Sequence, residues 1–167
     1  MLKKIIHLWL LLPAIACAQT AIPDAIQVPE GNNRVLSLHA KGDQIYQCSS
    51  QKGEYSWQLQ APNALLYDVS GQLVGSHSAG PKWKYRDGSY IKGQVIKKVD
   101  VNPDSALAWL LLETSEPQGK GLLSSARFIQ RVNTRGGLPP TLACNSNHLG
   151  IEKQVAYSAD YIFYAEK

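Results

Sequence analysis

Apolar and polar residues alternate along most of this chain, and glycine or proline interrupts the alternation at short intervals. In residues 55–59, for example, Tyr55, Trp57 and Leu59 alternate with Ser56 and Gln58. A period of two is typical of strands, whose successive side chains point to opposite faces of a sheet. The pattern therefore predicts an all-β fold with little helix, either an antiparallel β-sandwich or a small β-barrel.

Turn residues between alternating segments predict three hairpins, with turns at residues 41–43, 70–71 and 87–88. The Asp87-Gly88 pair is the strongest of these signals, because Asp-Gly favours the tight turns that match the twist of paired strands. A long strand over residues 90–101 follows it. Gly93 within this strand is interpreted as a possible β-bulge.

Residues 106–113 fit two structures. Pro103-Asp104-Ser105 can cap a short helix, whereas Trp109 to Leu112 can form a strand buried on both faces. We favour a turn followed by the buried strand. The last residues of the chain form a further predicted strand, and we expect it to close the sheet. One of its faces carries Tyr157, Ala159, Tyr161 and Phe163.

Residues 1–18 have the layout of a secretory signal peptide. Basic Lys3 and Lys4 precede an apolar stretch over residues 5–12, and small residues around Cys17 form a cleavage site. This apolar stretch is too short to cross a hydrocarbon core of roughly 30 Å, and no later stretch is long enough. Cleavage after Ala18 predicts a single β-rich domain over residues 19–167, periplasmic or extracellular, without an integral membrane segment. A lipoprotein acylated at Cys17 is the alternative.

Cleavage after Ala18 leaves two cysteines, Cys48 and Cys144. An even number of cysteines in an oxidising compartment predicts a disulfide between them. Two unpaired buried cysteines are the alternative. A zinc site is less well supported, since no second cysteine or histidine lies at ligand spacing from either one. No metal site is predicted.

The formal net charge of the whole chain is +4, and it falls to about +2 without Lys3 and Lys4. This charge is too small to indicate nucleic acid or an anionic lipid surface as a partner.

The segment from His77 to Ser89 is the candidate ligand-binding wall. Imidazole can shuttle protons near neutral pH, aromatic rings can stack on a ligand, and glycine turns allow close approach. The candidate residues are His77, Trp83, Tyr85, Arg86, Asp87 and Ser89. The structural alternative is a turn held by His77, with Trp83 filling the core. His39, at the end of a predicted strand, and His148, in a loop, are interpreted as ordinary structural residues.

A set of short segments spread over nearly all of the mature chain carries a family resemblance. These segments are Ile22-Pro23, Val28 to Gly31, Gln44 to Cys48, Trp57, Leu73 to His77, Gly80 to Trp83, Asp87 to Ser89, Trp109 to Leu112, Gly136-Gly137, Pro140, Cys144 and Tyr157 to Tyr164. In them the chain resembles a family of exported bacterial and fungal proteins classified as a domain of unknown function, some of whose fungal members carry a malate-dehydrogenase-like label. The resemblance brings no established chemistry with it.

The dehydrogenase label does not fit the residues. A dinucleotide fold needs a glycine turn between a strand and a helix, with an acidic residue downstream for the ribose. The nearest candidate, Gly119-Lys120-Gly121, has Ser124 at the third glycine position, and the next acidic residue after Glu116 is Glu152. We therefore reject NAD-dependent dehydrogenase activity and predict no cofactor.

The expected function is an exported, cofactor-free module that binds a small ligand or saccharide or is associated with the cell envelope. One alternative is a structural or stress-related exported protein without a small ligand. The other is a hydrolase that uses the His77 region. No catalytic residue is assigned.

Overall fold

The structure is a computed structural model that describes residues 21–167. The predicted signal peptide and Cys17 lie outside the described residues. No helix in residues 21–167 is long and apolar enough to span a membrane. The described chain has three short 3₁₀ helices, at Asp24–Ile26, Leu122–Ser125 and Ser146–His148. Its strands are β1 (Asn32–Gln51), β2 (Glu54–Tyr67), β3 (Leu73–Ser78), β4 (Lys82–Tyr85), β5 (Tyr90–Val99), β6 (Trp109–Gln118), β7 (Ala126–Gly136) and β8 (Glu152–Glu166).

The eight strands form a closed antiparallel barrel in which each strand pairs with its neighbour in sequence. The last strand returns to the first, and β8 pairs with β1 from Asn32↔Glu166 to Gln47↔Glu152. This confirms the predicted all-β antiparallel fold and selects the barrel over the sandwich. It also confirms that the C-terminal strand closes the sheet.

The predicted turn at residues 41–43 is wrong, because β1 continues through it without interruption. Gly42 pairs with Ala64 on β2 and with Tyr157 on β8. A Cβ atom on Gly42 would lie 2.2 Å from the carbonyl oxygen of Asn63. The glycine is therefore explained by the close approach of two backbones, whereas the sequence interpretation assigned it to a turn.

Gly93 has a similar explanation. It pairs with Thr114, and the register shifts of β5 lie on either side of it rather than at it. A Cβ atom on Gly93 would lie 3.0 Å from Cζ3 of Trp83. The predicted bulge at Gly93 is thus wrong: the glycine has no Cβ, and this leaves room for the Trp83 indole. Strand β5 ends at Val99 instead of at residue 101.

Strand β6 confirms the interpretation of Trp109 to Leu112 as a strand buried on both faces. Leu110 and Leu112 point into the barrel, while Trp109 and Leu111 lie on its outside. The segment before β1 covers this outer face and buries Ile26 completely. The Gln130 side chain donates a hydrogen bond of 2.8 Å to the Ile26 carbonyl, which fixes the segment there.

The two ends of the barrel are closed differently. At one end Leu123, fully buried, inserts from the connection between β6 and β7 into the interior core. At the other, which we call the disulfide end, residues 137–151 connect β7 to β8. The predicted disulfide is confirmed: Cys48 on β1 is bonded to Cys144 in this connection, with their Cα atoms 5.4 Å apart. Trp57 Nε1 donates to the Leu142 carbonyl at 2.7 Å and fixes the same connection to β2.

Candidate functional site

The structure divides the predicted wall from His77 to Ser89 between the barrel interior and one of its ends. His77 on β3 and Trp83 on β4 are directly paired across the two strands and point inward. Their exposed fractions are 4% and 1%. The two rings stack with centroids 4.1 Å apart and planes 13° from parallel. Tyr85, also buried, lies in the same core.

Asp87 and Ser89 lie at the end opposite the disulfide and have a structural role there. The Asp87 carboxylate accepts hydrogen bonds from the Ser89 backbone amide at 2.9 Å and from the Leu122 amide at 2.8 Å. Burial raises the pKa of Asp87, but the hydrogen bonds from Ser89 and Leu122 outweigh it, so the pKa falls below its usual value. Arg86 is exposed, and its guanidinium lies 5.7 Å from the centroid of the Tyr85 ring.

These contacts explain the glycines of Gly119-Lys120-Gly121. A Cβ atom on Gly121 would lie 2.3 Å from the Asp87 carboxylate, and one on Gly119 would lie 3.0 Å from the Gly88 carbonyl. The two glycines therefore let the connection from β6 to β7 pack directly on the turn at residues 87–88. This connection joins two antiparallel strands through the four-residue 3₁₀ helix at Leu122–Ser125.

His77 is held in one tautomer. Its Nδ1 lies 3.1 Å from the Lys82 carbonyl, which can only accept, so Nδ1 carries the proton. Burial, helped by the nearby Arg131 guanidinium and partly offset by the Lys82 hydrogen bond, lowers the pKa of His77 to about 3. The ring is therefore neutral at physiological pH and adds no charge to the interior.

Arg131 on β7 is the charged group of the barrel interior. Its direct neighbours across the strands are Tyr161 on β8 and Leu110 on β6, both of which point inward. Residues directly opposite each other share a face of the sheet, so the Arg131 side chain enters the barrel as well. Its Nε and Nη2 donate to the Ala108 carbonyl at 3.1 and 2.9 Å. Ala108 precedes β6, so the guanidinium is directed toward the disulfide end.

Two buried tyrosine hydroxyls, those of Tyr157 and Tyr161, lie next to each other in this region, and the Tyr161 hydroxyl lies next to the Arg131 guanidinium. Neither hydroxyl makes a well-formed hydrogen bond within residues 21–167. Burial raises the pKa of both phenols, and the Arg131 charge partly offsets this effect. Both hydroxyls are therefore protonated at physiological pH and can donate. The Tyr161 ring also makes edge-to-face contacts with His77 and Trp83, at centroid distances of 5.1 and 5.3 Å. We call Arg131, Tyr157, Tyr161 and His77 the Arg131 cluster.

The connection from β7 to β8 packs against the Arg131 cluster at Tyr157. The Tyr46 hydroxyl donates to the Gly137 carbonyl at 2.7 Å. A Cβ atom on Gly137 would lie 2.9 Å from Cβ of Tyr157 and 2.7 Å from Cδ1 of Leu107. Gly137 thus lets the cover of the disulfide end pack against Tyr157.

Chemically, the Arg131 cluster offers one positive charge, two phenolic donors and a neutral imidazole, surrounded by aromatic and aliphatic carbon. It brings together one residue of the predicted site, His77, with three that the sequence interpretation did not include. Ser89 is hydrogen-bonded to Asp87 at the end of the barrel opposite the disulfide, whereas His77 is hydrogen-bonded to the Lys82 carbonyl. Ser89, His77 and Asp87 are therefore not linked as a hydrolytic triad.

His39 differs from its sequence interpretation in one respect, since it lies in the middle of β1 and not at the end of a strand. Its Nδ1 is 2.7 Å from Oδ1 of Asp160, and Asn133 donates to Oδ2 of the same carboxylate at 2.8 Å. These residues line a cleft of about 230 Å³ on the outside of the barrel. His148 ends the 3₁₀ helix at Ser146–His148, near the disulfide.

Comparison with known sequences and structures gives one match. The sequence profile of a protein family described as "Protein of unknown function (DUF3455)" matches residues 29–165, which include almost the whole barrel. No curated protein and no solved structure matches the chain.

Proposed function

Since the chain belongs to this family of unknown function, which assigns no activity, we propose from the site itself that the protein binds a small molecule at the disulfide end of its barrel. The observation that carries the proposal is the Arg131 cluster, in which the buried hydroxyls of Tyr157 and Tyr161 make no well-formed hydrogen bond within residues 21–167. The ligand completes the hydrogen bonding of these donors. The His77–Trp83 pair provides the adjoining apolar wall.

Buried polar groups are almost always hydrogen-bonded, and an exception calls for an explanation. A buried donor without a partner costs about 1–3 kcal/mol. The hydroxyls of Tyr157 and Tyr161 both have this property, and the two residues occupy inward positions of β8 on either side of Ala159. We attribute two such neighbouring hydroxyls, next to a guanidinium, to an acceptor that comes from outside the chain.

The architecture supports the same proposal. Barrels of eight strands have an interior that side chains just fill or that holds one small ligand. Here three positions of the interior core on β1, β2 and β8 carry small residues, namely Ala40, Ala64 and Ala159. At the opposite end Leu123 fills the interior, whereas the disulfide end is covered by residues 137–151, so we place the entrance at the disulfide end.

The compartment of this activity is also part of the proposal. The signal-peptide pattern of residues 1–18 and the disulfide support a periplasmic or extracellular protein, because disulfides persist in oxidising compartments. We therefore propose that the ligand is met outside the cytoplasm.

A thermal-shift screen of the full chain, expressed with its own export signal, tests the proposal. The panel comprises organic acids, the corresponding amides and alcohols, neutral saccharides and nucleosides. A ligand that binds only the folded state raises the melting temperature with its concentration. We expect one class to do so, and we expect Tyr161→Phe, which removes only the hydroxyl, to reduce the shift. If no class shifts the melting temperature and Tyr161→Phe stabilises the protein, the interior is purely structural and the proposal is wrong.

A further inference from the structure

We propose that the ligand carries a single negative charge on a carboxylate, and that this carboxylate binds Arg131 together with the hydroxyls of Tyr157 and Tyr161. This inference rests on the proposed function and specifies its ligand class. It is carried by the position of Arg131, a cation in the barrel interior for which the described chain provides no ion pair. The ligand is thus a small organic monoacid.

The charge of the interior supports an anion. Charged side chains are rarely buried unless they are paired, because removal of a charge from water is costly. The described ion pairs are Lys92–Glu116 and Lys98–Asp100, and His39 lies 2.7 Å from Asp160; all of these side chains are exposed. The nearby carboxylate of Asp43 contributes to the raised pKa of Tyr157, but it forms no ion pair with Arg131. The half-buried Arg131 therefore has no carboxylate counter-ion within 4 Å among residues 21–167.

The hydrogen-bonding capacity of Arg131 supports the same conclusion. The guanidinium has five N–H donors in a fixed plane. The bonds to the Ala108 carbonyl use Nε and one donor of Nη2, and no other carbonyl or carboxylate of the described chain accepts from the guanidinium, which lies beside the Tyr161 hydroxyl. Two parallel N–H groups on one edge match the two oxygens of a carboxylate. Tyr157 and Tyr161 can donate to the remaining lone pairs.

The number of charges distinguishes a carboxylate from a phosphate monoester. His77, a member of the cluster, is neutral at physiological pH, so Arg131 is the only cation of the described interior. A dianionic phosphate would leave one negative charge uncompensated in a poorly solvated site, whereas a carboxylate is matched one to one. The aromatic contacts of Tyr161 with His77 and Trp83 provide a carbon surface for the body of such an acid.

Calorimetric titration with benzoate, benzamide and phenyl phosphate tests the inference, since the three probes share a phenyl ring and differ in charge. For the full chain we expect benzoate to bind at least tenfold more tightly than benzamide or phenyl phosphate. Arg131→Gln is expected to weaken benzoate at least tenfold and to leave benzamide unchanged. Arg131→Lys keeps the charge but loses the paired donors, and we expect an intermediate effect. Arg135→Gln, an exposed position on the same strand, is the control and should bind like the unmodified protein.

The outcomes separate this inference from the proposed function. If benzoate and benzamide bind equally and Arg131→Gln changes neither, the carboxylate assignment is wrong while small-molecule binding stands. Tighter binding of phenyl phosphate would replace the monoanion by a dianion. If no probe binds the unmodified protein and octanoate and octanamide also fail, the proposed function itself is contradicted for this class of ligand. Should Arg131→Gln fail to fold, Arg131→Lys and Tyr157→Phe provide the same comparison.

Discussion

Trp83 gives the sharpest distinction between a ligand wall and a core residue. Its side chain is 1% exposed, stacks on His77 at 4.1 Å and contacts Tyr161 edge to face. Replacement of a fully buried tryptophan by alanine removes the transfer free energy of the indole and leaves a cavity, which together cost about 3–5 kcal/mol. We therefore expect Trp83→Ala to lower the free energy of unfolding by about 3–5 kcal/mol.

The magnitude can be measured by urea unfolding followed by circular dichroism, under oxidising conditions that keep the disulfide intact. For a domain of this size a loss of 1 kcal/mol lowers the melting temperature by roughly 2–4 °C, so we expect a decrease of about 6–20 °C. Trp83→Phe, which retains a ring in the stack, should lose less than half as much. A Trp83→Ala variant with unfolding free energy within 1 kcal/mol of the unmodified protein would refute the core role, and a loss confined to ligand affinity would leave Trp83 as a ligand contact alone.

Three further predictions follow from the packing. Between pH 6.5 and 4.5, we expect the free energy of unfolding to fall with decreasing pH by up to about 1.4 kcal/mol per unit, because burial lowers the pKa of His77 to about 3 and only the unfolded chain takes up this proton. Urea unfolding across this window should show a weaker dependence of the unfolding free energy on pH for His77→Gln, and an equal dependence would contradict the assignment. Replacement of Cys48 and Cys144 by serine should cost about 2–5 kcal/mol by the same assay, since the bridge spans 96 residues of sequence, and no loss would exclude a stabilising bridge. Gly42→Ala should lower the free energy of unfolding by about 3 kcal/mol or more, because the new methyl group meets the backbone of β2. The control Gly53→Ala has open space around the new methyl group and should lose only the roughly 1–2 kcal/mol that a positive φ costs a non-glycine residue. Equal losses would refute the close-approach explanation.

The elements of the fold were accessible from the sequence where side chains alternate between two environments. Trp109 to Leu112 shows the principle, since a run of large apolar residues fits a strand whose two faces are both covered. Gly42 shows the limit. The sequence pattern around Gly42 cannot distinguish a glycine required by a turn from one required by a paired strand, because the paired residue, Ala64, lies far away in sequence. The closure of the sheet into a barrel depends on such long-range pairings.

The candidate site was less accessible for the same reason. The chemistry of residues 77–89 is concentrated in sequence, but the barrel separates it into an interior pair and a structural contact at one end. Arg131, Tyr157 and Tyr161 come together only because β7 and β8 are paired. One signal was present: Ile129 and Arg131 share a face of a strand, and a charged residue at an inward position is unusual enough to indicate a special role.

The most direct test of the account is the side-chain NMR signal of Arg131, whose Nε–H is hydrogen-bonded to the Ala108 carbonyl and is therefore protected from exchange. Its assignment follows from its loss in Arg131→Lys. On titration of the full chain with benzoate, we predict a saturable shift of this signal that benzamide does not produce at the same concentration. An unchanged Arg131 signal, with shifts confined to exposed arginines such as Arg135, would contradict the assignment of Arg131 as the anchor of an anionic ligand.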